Sequence, residues 1–178
     1  FHRKTPYILL SLVKMDKTSA NLNIENRNLN ELIELILKRL RPIAKQRNID
    51  VLYESAREVF AEIDEVKLTL AISNLVENAI KYNKEYGYVK VSLDADHQFA
   101  TIMVEDNGIG IPEEAQEHIF ERFYRVDKSH SREIGGTGLG LAIARNAILL
   151  HRGSIKIDSE EGQGTVFTVK IPIIYVSK

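Results

Sequence analysis

A glycine-rich turn that leads directly into an apolar helix is the feature that most constrains this chain. Four glycines occupy the six positions of Gly135–Gly140, and apolar residues at helical spacing follow from Leu139. Glycines let backbone N–H groups approach a bulky anion, and the free N–H groups and dipole of a helix N-terminus favour phosphate. The spacing excludes both the P-loop and the strand-borne dinucleotide-binding turn. A flexible loop before a helix would use the same glycines, because glycine also marks ordinary turns.

Composition limits the class of protein. The 178 residues suffice for one domain with a proper core and a small appendage, and a content of 44% hydrophobic residues is ordinary for a soluble globular protein. A formal net charge of −1 argues against a surface that coats nucleic acid. The absence of cysteine excludes disulfides, thiolate zinc sites and thiol nucleophiles. No apolar run approaches the roughly 20 residues of a membrane span. Because the chain begins at Phe1 rather than Met, we expect a fragment of a larger protein.

Hydrophobic periodicity predicts a mixture of strands and helices. Apolar residues at period two predict strands, and apolar stripes at helical spacing predict amphipathic core helices. Asn28 suits the N-cap of the first core helix, and Gly153 suits the C-cap of the last. An acidic start and a basic end favour a helix over Glu113–Tyr124. The predicted strands are Asp50–Glu54, Val59–Asp64, Tyr88–Asp94, Phe99–Asp106, Ser154–Ser159 and Thr165–Ile174, and the other predicted helices cover 7–15, 29–44, Glu65–Asn83 and 139–153.

Four polar side chains share one face of the helix predicted over Glu65–Asn83. They are Asn74, Glu77, Asn78 and Lys81. At helical geometry they fall within an arc of roughly 100°, opposite the apolar face. Oxygen atoms of Asn and Glu suit a hard cation such as Mg²⁺, which keeps several waters and binds through substrate phosphates. A solvated face with chance asparagines is the alternative.

Asp106 ends a predicted strand on its apolar face. Period two places it with Ala100, Ile102 and Val104, where a carboxylate is costly without a partner. The turn Asn107–Pro112 follows, with glycines that allow close approach. Asp106 is therefore a candidate acceptor for a buried donor such as the amino group of a base. An ordinary turn at a hairpin end would also use Asp and Gly.

The segment Arg125–Gly136 is polar and short of apolar anchors. Such a segment predicts a mobile lid, and its bases Arg125, Lys128 and Arg132 are candidates for contact with phosphate. Plain solvation is the alternative for these bases.

Five short motifs, in this order, resemble the N, G1, F, G2 and G3 boxes of the sensor histidine kinases of two-component systems. They lie at 74–82, 106–110, 120–123, 136–140 and 162–165, within a likeness that covers roughly residues 26 to 174. The resemblance implies an α/β (α+β) two-layer sandwich, in which a mixed sheet packs on helices. It is the ATP-binding fold shared with gyrase, mismatch-repair and heat-shock ATPases.

The resemblance implies the residue roles at the base. Asp106 is similar to the carboxylate that accepts the adenine amino group, and Gly108 and Gly110 shape that wall. The other residues expected near the base or nucleotide are Tyr82, Ile111 and Thr165.

The resemblance also implies roles at the phosphates. Asn78 matches the Mg²⁺ ligand, with Asn74 beside it. Glu77 stands where the family has an acidic residue that helps to activate the accepting histidine, and Lys81 is a second candidate catalytic residue. The residues expected in the phosphate cradle and lid are Phe120, Phe123, Arg125, Gly136, Thr137, Gly138, Leu139, Gly140 and Leu141.

The chain departs from the family at its N-terminus. The family carries its phosphoacceptor in a helical hairpin ahead of the ATPase domain, within a pattern close to His-Glu-x-x-Thr-Pro. Here His2 is one residue too near Pro6 and lacks the acidic neighbour. The roughly twenty residues that follow are too few for two helices at 1.5 Å per residue, so 8–24 resembles the tail of the second hairpin helix. We expect a hairpin remnant and linker over 1–25 and the ATP-binding domain over 26–178. His2 is not expected to be an acceptor.

The expected function is binding of ATP with Mg²⁺ and transfer of the γ-phosphoryl group to a histidine of a dimerisation domain, with onward transfer to a response regulator. Alone, the chain is expected to be monomeric, cytoplasmic and unable to phosphorylate itself, with membrane attachment only through missing parent segments. A nucleotide-binding switch without catalysis and an ATPase of the gyrase or mismatch-repair type are the rivals. The remaining histidines show no ligand spacing and are expected at the surface: His97, His118, His130 and His151.

Overall fold

The main layer of the protein is a five-stranded mixed sheet. The computed structural model describes residues 21–122, 124 and 139–176. Its strands are β1 (Ile24–Asn28), β2 (Asp50–Ser55), β3 (Phe60–Asp64), β4 (Tyr88–Ala95), β5 (Phe99–Asp106), β6 (Ser154–Glu160) and β7 (Gly164–Pro172). The order in the large sheet is β2-β4-β5-β7-β6, with β2 and β4 parallel and the other neighbours antiparallel.

Helices cover one face of this sheet. They are α1 (Leu29–Gln46), α2 (Glu65–Lys81), α3 (Glu113–Gln116) and α4 (Gly140–Leu150). Asn28 and Asp64 cap α1 and α2, each accepting a backbone N–H three residues later. Alternate residues of β4, β5 and β7 are buried under the helices, and those between them are half-buried or exposed. This is the two-layer sandwich that the sequence predicts. No helix among the described residues is long and apolar enough to cross a bilayer.

The predicted strands are all present, with ends within about two residues of the expected positions, as is usual for element boundaries. The antiparallel pair of β1 and β3 is an addition that the sequence analysis did not predict. The helix predicted over 7–15 lies outside the described residues. The likeness of 8–24 to the tail of a hairpin helix is wrong at its described end, because Ile24 pairs with Asp64 in this ladder and the Asn23 N–H donates to Asp64 Oδ2 at 2.9 Å.

The helix predicted over Glu113–Tyr124 is also wrong, since only α3 is α-helical there. Beyond it the backbone bonds span three residues, from His118 to Ala115 and from Glu121 to His118. The side chain of Gln116 donates to the carbonyls of Ile111 and Ser159, both at 2.9 Å. The bond to Ser159 ties the segment to β6, and tight turns replace a longer helix.

Candidate functional site

Asp106 lies at the end of β5 on the buried face, as its strand parity predicts. It is 8% exposed, and its Oδ1 accepts the Gly108 N–H at 2.9 Å. Burial raises the pKa of Asp106 to about 6, although N–H donors from Gly108 and Thr165 lower it, and repulsion from Glu105 adds to the rise. The carboxylate is therefore largely ionised at neutral pH but poorly solvated, which favours hydrogen bonding to any donor that reaches it.

The turn that follows Asp106, Asn107–Pro112, is called the Asp106 turn and lies against the C-terminal end of α2. The Ile109 N–H donates to the carbonyl of Tyr82 at 3.1 Å. A Cβ at Gly108 would lie 2.4 Å from the same carbonyl and 2.8 Å from the Asn83 Cα. Gly108 is thus required by close backbone approach, which separates this turn from an ordinary flexible one.

The other side of the turn contacts the hairpin between β6 and β7. The Gly162 N–H donates to the Ile109 carbonyl at 2.7 Å. Gly110 has a φ of +71°, and a Cβ there would lie 2.1 Å from the Glu160 carbonyl oxygen. A Cβ at Gly164 would lie 2.1 Å from the Asp106 carbonyl oxygen. The second and fifth motifs of the sequence therefore form one packed unit.

Ser159 joins this unit through three hydrogen bonds. Its Oγ accepts the Ile111 N–H at 2.8 Å and donates to the Gly164 carbonyl at 2.9 Å. Because the serine hydroxyl has one proton, Thr165 Oγ1, at 2.8 Å, must donate to Ser159 Oγ. Ile111 and Thr165 are predicted site residues, whereas Ser159 is not. Period two along β6, with Ile155 and Ile157 half-buried on the same side, is the signal that would have found it.

The polar stripe of α2 is half-buried and lies beside the start of α4. Its members are Asn74, Glu77, Asn78 and Lys81, all on the side away from the buried residues of α2. A Cβ at Gly140 would lie 3.6 Å from Asn74 Oδ1, so the first turn of α4 adjoins the stripe. The buried Asn74 Nδ2 has no hydrogen-bond partner among the described residues. The structure thus brings the end of the glycine-rich turn next to the polar stripe.

Of the other predicted site residues, the structure describes some and leaves the rest outside the described ranges. Phe120 packs edge-on against Phe167 with ring centroids 6.2 Å apart. Leu139 is buried, and Leu141 packs partly against the core. Both residues therefore contribute to packing, and their place in the phosphate cradle stays a prediction. The residues Phe123, Arg125, Gly136, Thr137 and Gly138, together with His130 and His2, lie outside the described residues.

The donor set of the stripe fits Mg²⁺. Asn78 and Glu77 offer the oxygen ligands that this ion prefers. Among the described residues, no group of three or more His, Cys, Asp or Glu side chains is arranged to hold a metal. An ion at this place would therefore also need oxygens of a bound ligand, as Mg²⁺ at a nucleotide does.

The prediction that His151 lies at the surface is wrong. The residue is 1% exposed, its Nε2 accepts the Asp64 N–H at 3.0 Å, and its Nδ1 donates to the Ala147 carbonyl at 2.7 Å. Burial lowers the pKa of His151, because removal from water disfavours the charged imidazolium. The neutral imidazole can donate at Nδ1 and accept at Nε2, as these two bonds require. It joins the end of α4 to the start of α2, which a search for metal-ligand spacing does not detect. His97 is exposed, as predicted.

Comparisons with known proteins agree with this geometry. Residues 63–174 match the family described as histidine kinase-, DNA gyrase B-, and HSP90-like ATPase. The sensor histidine kinase RppB of Synechocystis is 41% identical over 97% of this chain and 38% of its own length. The sensor histidine kinase WalK of Bacillus subtilis is 40% identical over 92% of this chain and 27% of its own length. The chain therefore spans well under half the length of these relatives.

Solved structures give the same assignment. The catalytic domain of the histidine kinase ThkA superposes with a TM-score of 0.76 at 32% identity, over 86% of this chain and 97% of that domain. ThkA in complex with the response regulator protein TrrA superposes with a TM-score of 0.73 at 28% identity, over 96% of this chain and 49% of that one. The chain belongs to the histidine kinase-, DNA gyrase B- and HSP90-like ATPase family, and within it to the ATPase domains of two-component sensor histidine kinases.

Proposed function

We propose that this domain binds Mg-ATP and transfers the γ-phosphoryl group to a histidine on a dimerisation domain of its parent protein, from which the group passes to a response regulator. The buried carboxylate of Asp106 is the observation that carries the proposal, because it is only 8% exposed and lies beside a turn that is hydrogen-bonded on both sides, where it can accept a further hydrogen bond from a base. Its raised pKa supports the same interpretation. Names of relatives support the kinase class, and the ThkA complex supports the response regulator as partner. We place the domain in the cytoplasm, where ATP is available.

The length of α2 supports a nucleotide as the ligand. Asn74 of this helix lies beside the start of α4, and Tyr82, which follows its last residue, lies beside the Asp106 turn. These two residues are separated by roughly 12 Å at 1.5 Å per residue, which suits a ligand with a base at one end and phosphates at the other. Asp106 would accept from the amino group of adenine, and Gly108 and Gly110 would let the ring approach the backbone. The N–H groups at the start of α4 and the ammonium of Lys81 would hold phosphate.

Catalysis would consist mainly of positioning and charge neutralisation, as in phosphoryl transfer generally. Asn78 would hold Mg²⁺, which would supply positive charge against the phosphates. Glu77, half-buried on the same face, would orient the accepting histidine and take its proton.

Calorimetry with Asn78→Ala in magnesium and in EDTA tests the metal. We expect the substitution to weaken ATP binding about tenfold or more in magnesium, from loss of a contact to a charged group, and far less in EDTA. Asn26→Ala, on the exposed face of β1, is the matched control. An equal loss in both buffers contradicts the assignment of Asn78.

Incubation with γ-labelled ATP and a purified dimerisation domain tests the transfer. Acid-labile phosphate is expected on the dimerisation domain and not on this chain. ATP binding without any transfer would favour a nucleotide switch without catalysis, and ITP that binds as tightly as ATP would contradict recognition of the amino group by Asp106.

A further inference from the structure

We infer that Arg47 is a positioning residue for the nucleotide site, holding the C-terminal end of α2 against the Asp106 turn and so setting the affinity for the nucleotide. Arg47 follows the last residue of α1 and lies far from the five motifs in sequence. The inference rests on the proposed function, because it concerns the site that would hold ATP.

The guanidinium of Arg47 bonds to three backbone carbonyls at the end of α2. It donates to Ile80, to Lys81 at 2.7 Å and to Asn83 at 3.0 Å. The carbonyls at a helix C-terminus have no partner within the helix, and a cation there is also favoured by the dipole. The planar fork of Arg supplies several donors in fixed directions, so one side chain fixes the direction of all three carbonyls.

The backbone carbonyl of Tyr82, which lies in sequence between those of Lys81 and Asn83, contacts the Asp106 turn. It accepts the Ile109 N–H, and a Cβ at Gly108 would lie 2.4 Å from its oxygen. The position of the Asp106 turn therefore follows the position of the α2 end, with no space to absorb a shift. Lys81 and Asn78 lie on the last turns of the same helix. Arg47 thus fixes the backbone on which both the base side and the phosphate side of the site depend, through bonds to backbone carbonyls and not to side chains of the site.

The backbone of Arg47 is held independently of its side chain. Its N–H donates to the Ala44 carbonyl at 3.0 Å, and the Ile49 N–H donates to the same oxygen at 2.9 Å. Ile49 is buried, and the Asp50 N–H donates to the Gly87 carbonyl at 3.1 Å where β2 begins. We therefore expect variants at position 47 to fold.

Calorimetry with ATP, well below the unfolding temperature, measures the effect. Arg47→Met should weaken binding roughly two- to thirtyfold, the range for residues that act on a ligand through others. Arg47→Lys should recover part of the loss, because an ammonium keeps the charge and can still donate to the same carbonyls. Arg41→Met is the matched control, since Arg41 is exposed on α1 and its hydrogen bond within the described part of the chain is a 3.5 Å contact to the Val51 carbonyl.

Two further readouts separate positioning from simple stabilisation. The amides of Gly108 and Ile109 should shift and exchange faster in Arg47→Met, and the affinity losses of Arg47→Met and Asp106→Asn should not add, because the two act through one turn. A lower unfolding temperature with unchanged ATP affinity and unchanged amides would overturn the inference. A wild-type chain that binds no ATP would instead refute the proposed function, and the amide readout alone would then decide whether Arg47 positions the turn.

Discussion

Replacing Asp106 by asparagine should stabilise the ligand-free domain at neutral pH while weakening nucleotide binding. Burial raises the pKa of this carboxyl from 3.8 to about 6, a difference of about two units. Each unit corresponds to about 1.4 kcal/mol, so the ionised form costs the folded state roughly 3 kcal/mol relative to the protonated form. The folded state holds the proton more tightly than the unfolded state. The protonated Asp106 carboxyl therefore contributes stability to the folded state below about pH 4, and this contribution is lost as the pH rises through about 6.

The increase in stability expected for Asp106→Asn is smaller than the full free-energy cost of the ionised carboxylate. The amide oxygen can still accept the Gly108 N–H, but the Thr165 N–H, which also donates to the carboxylate, loses a charged acceptor. A net gain of about 1–2 kcal/mol is expected after this loss. For a chain of this size, that gain raises the unfolding temperature by about 2–8 °C.

Denaturant unfolding of the two proteins across the pH range is the assay. The stability difference should be largest above about pH 7 and should close towards about pH 4, where the wild-type carboxyl is protonated. ATP affinity should fall about five- to 150-fold, from loss of the charged acceptor. Asp158→Asn, at an exposed carboxylate on β6, should change neither quantity. An asparagine variant that is less stable at neutral pH, or a stability difference that is independent of pH, would refute this reasoning.

Two further predictions concern residues that hold the site in place. The lowered pKa of His151 means that the folded state binds fewer protons than the unfolded state, so the free energy of unfolding should fall as the pH falls below about 6.5. Denaturant unfolding at several pH values should show a smaller loss at acidic pH in His151→Gln. The exposed His97→Gln should show the same loss as the wild type. Gly164→Ala should destabilise the domain by more than about 1 kcal/mol, because φ is +129° and the new Cβ would lie 2.1 Å from a backbone oxygen. Gly162→Ala, with φ of +85° and open space around it, should cost less, and equal effects on unfolding would contradict the packing of the Gly164 turn.

Local patterns predicted the parts of the site that depend on neighbours in sequence. Strand parity placed Asp106 on the buried face, because the alternation of side chains is fixed by backbone geometry. Helical spacing placed Asn74 and Lys81 on one face for the same reason. The start of α4 at Gly140 also follows from the glycines that precede it.

Long-range contacts account for what the sequence analysis missed. β1 exists because its backbone pairs with β3, and its own residues, Ile24–Asn28, are mostly polar. The helix predicted over Glu113–Tyr124 shortens to α3 because the Gln116 side chain bonds to β6. His151 looked like a surface residue because nothing near it in sequence shows that Asp64 will donate to it. Each of these depends on a partner tens of residues away.

The ligand-free site carries polar groups that the fold alone does not satisfy. Asp106 is a buried carboxylate that is largely ionised at neutral pH, and the amide nitrogen of Asn74 has no partner in the described part of the chain. Each lowers the stability of the free domain, since buried polar groups are normally paired. α2 connects the two, because Asn74 lies on this helix and Asp106 precedes the turn packed on its end. A ligand that donates a hydrogen bond to Asp106 would satisfy the carboxylate, so binding and stability are coupled. A domain with a purely structural role would have no reason to keep an ionised carboxylate there, because a well-packed neutral residue would be more stable at this position.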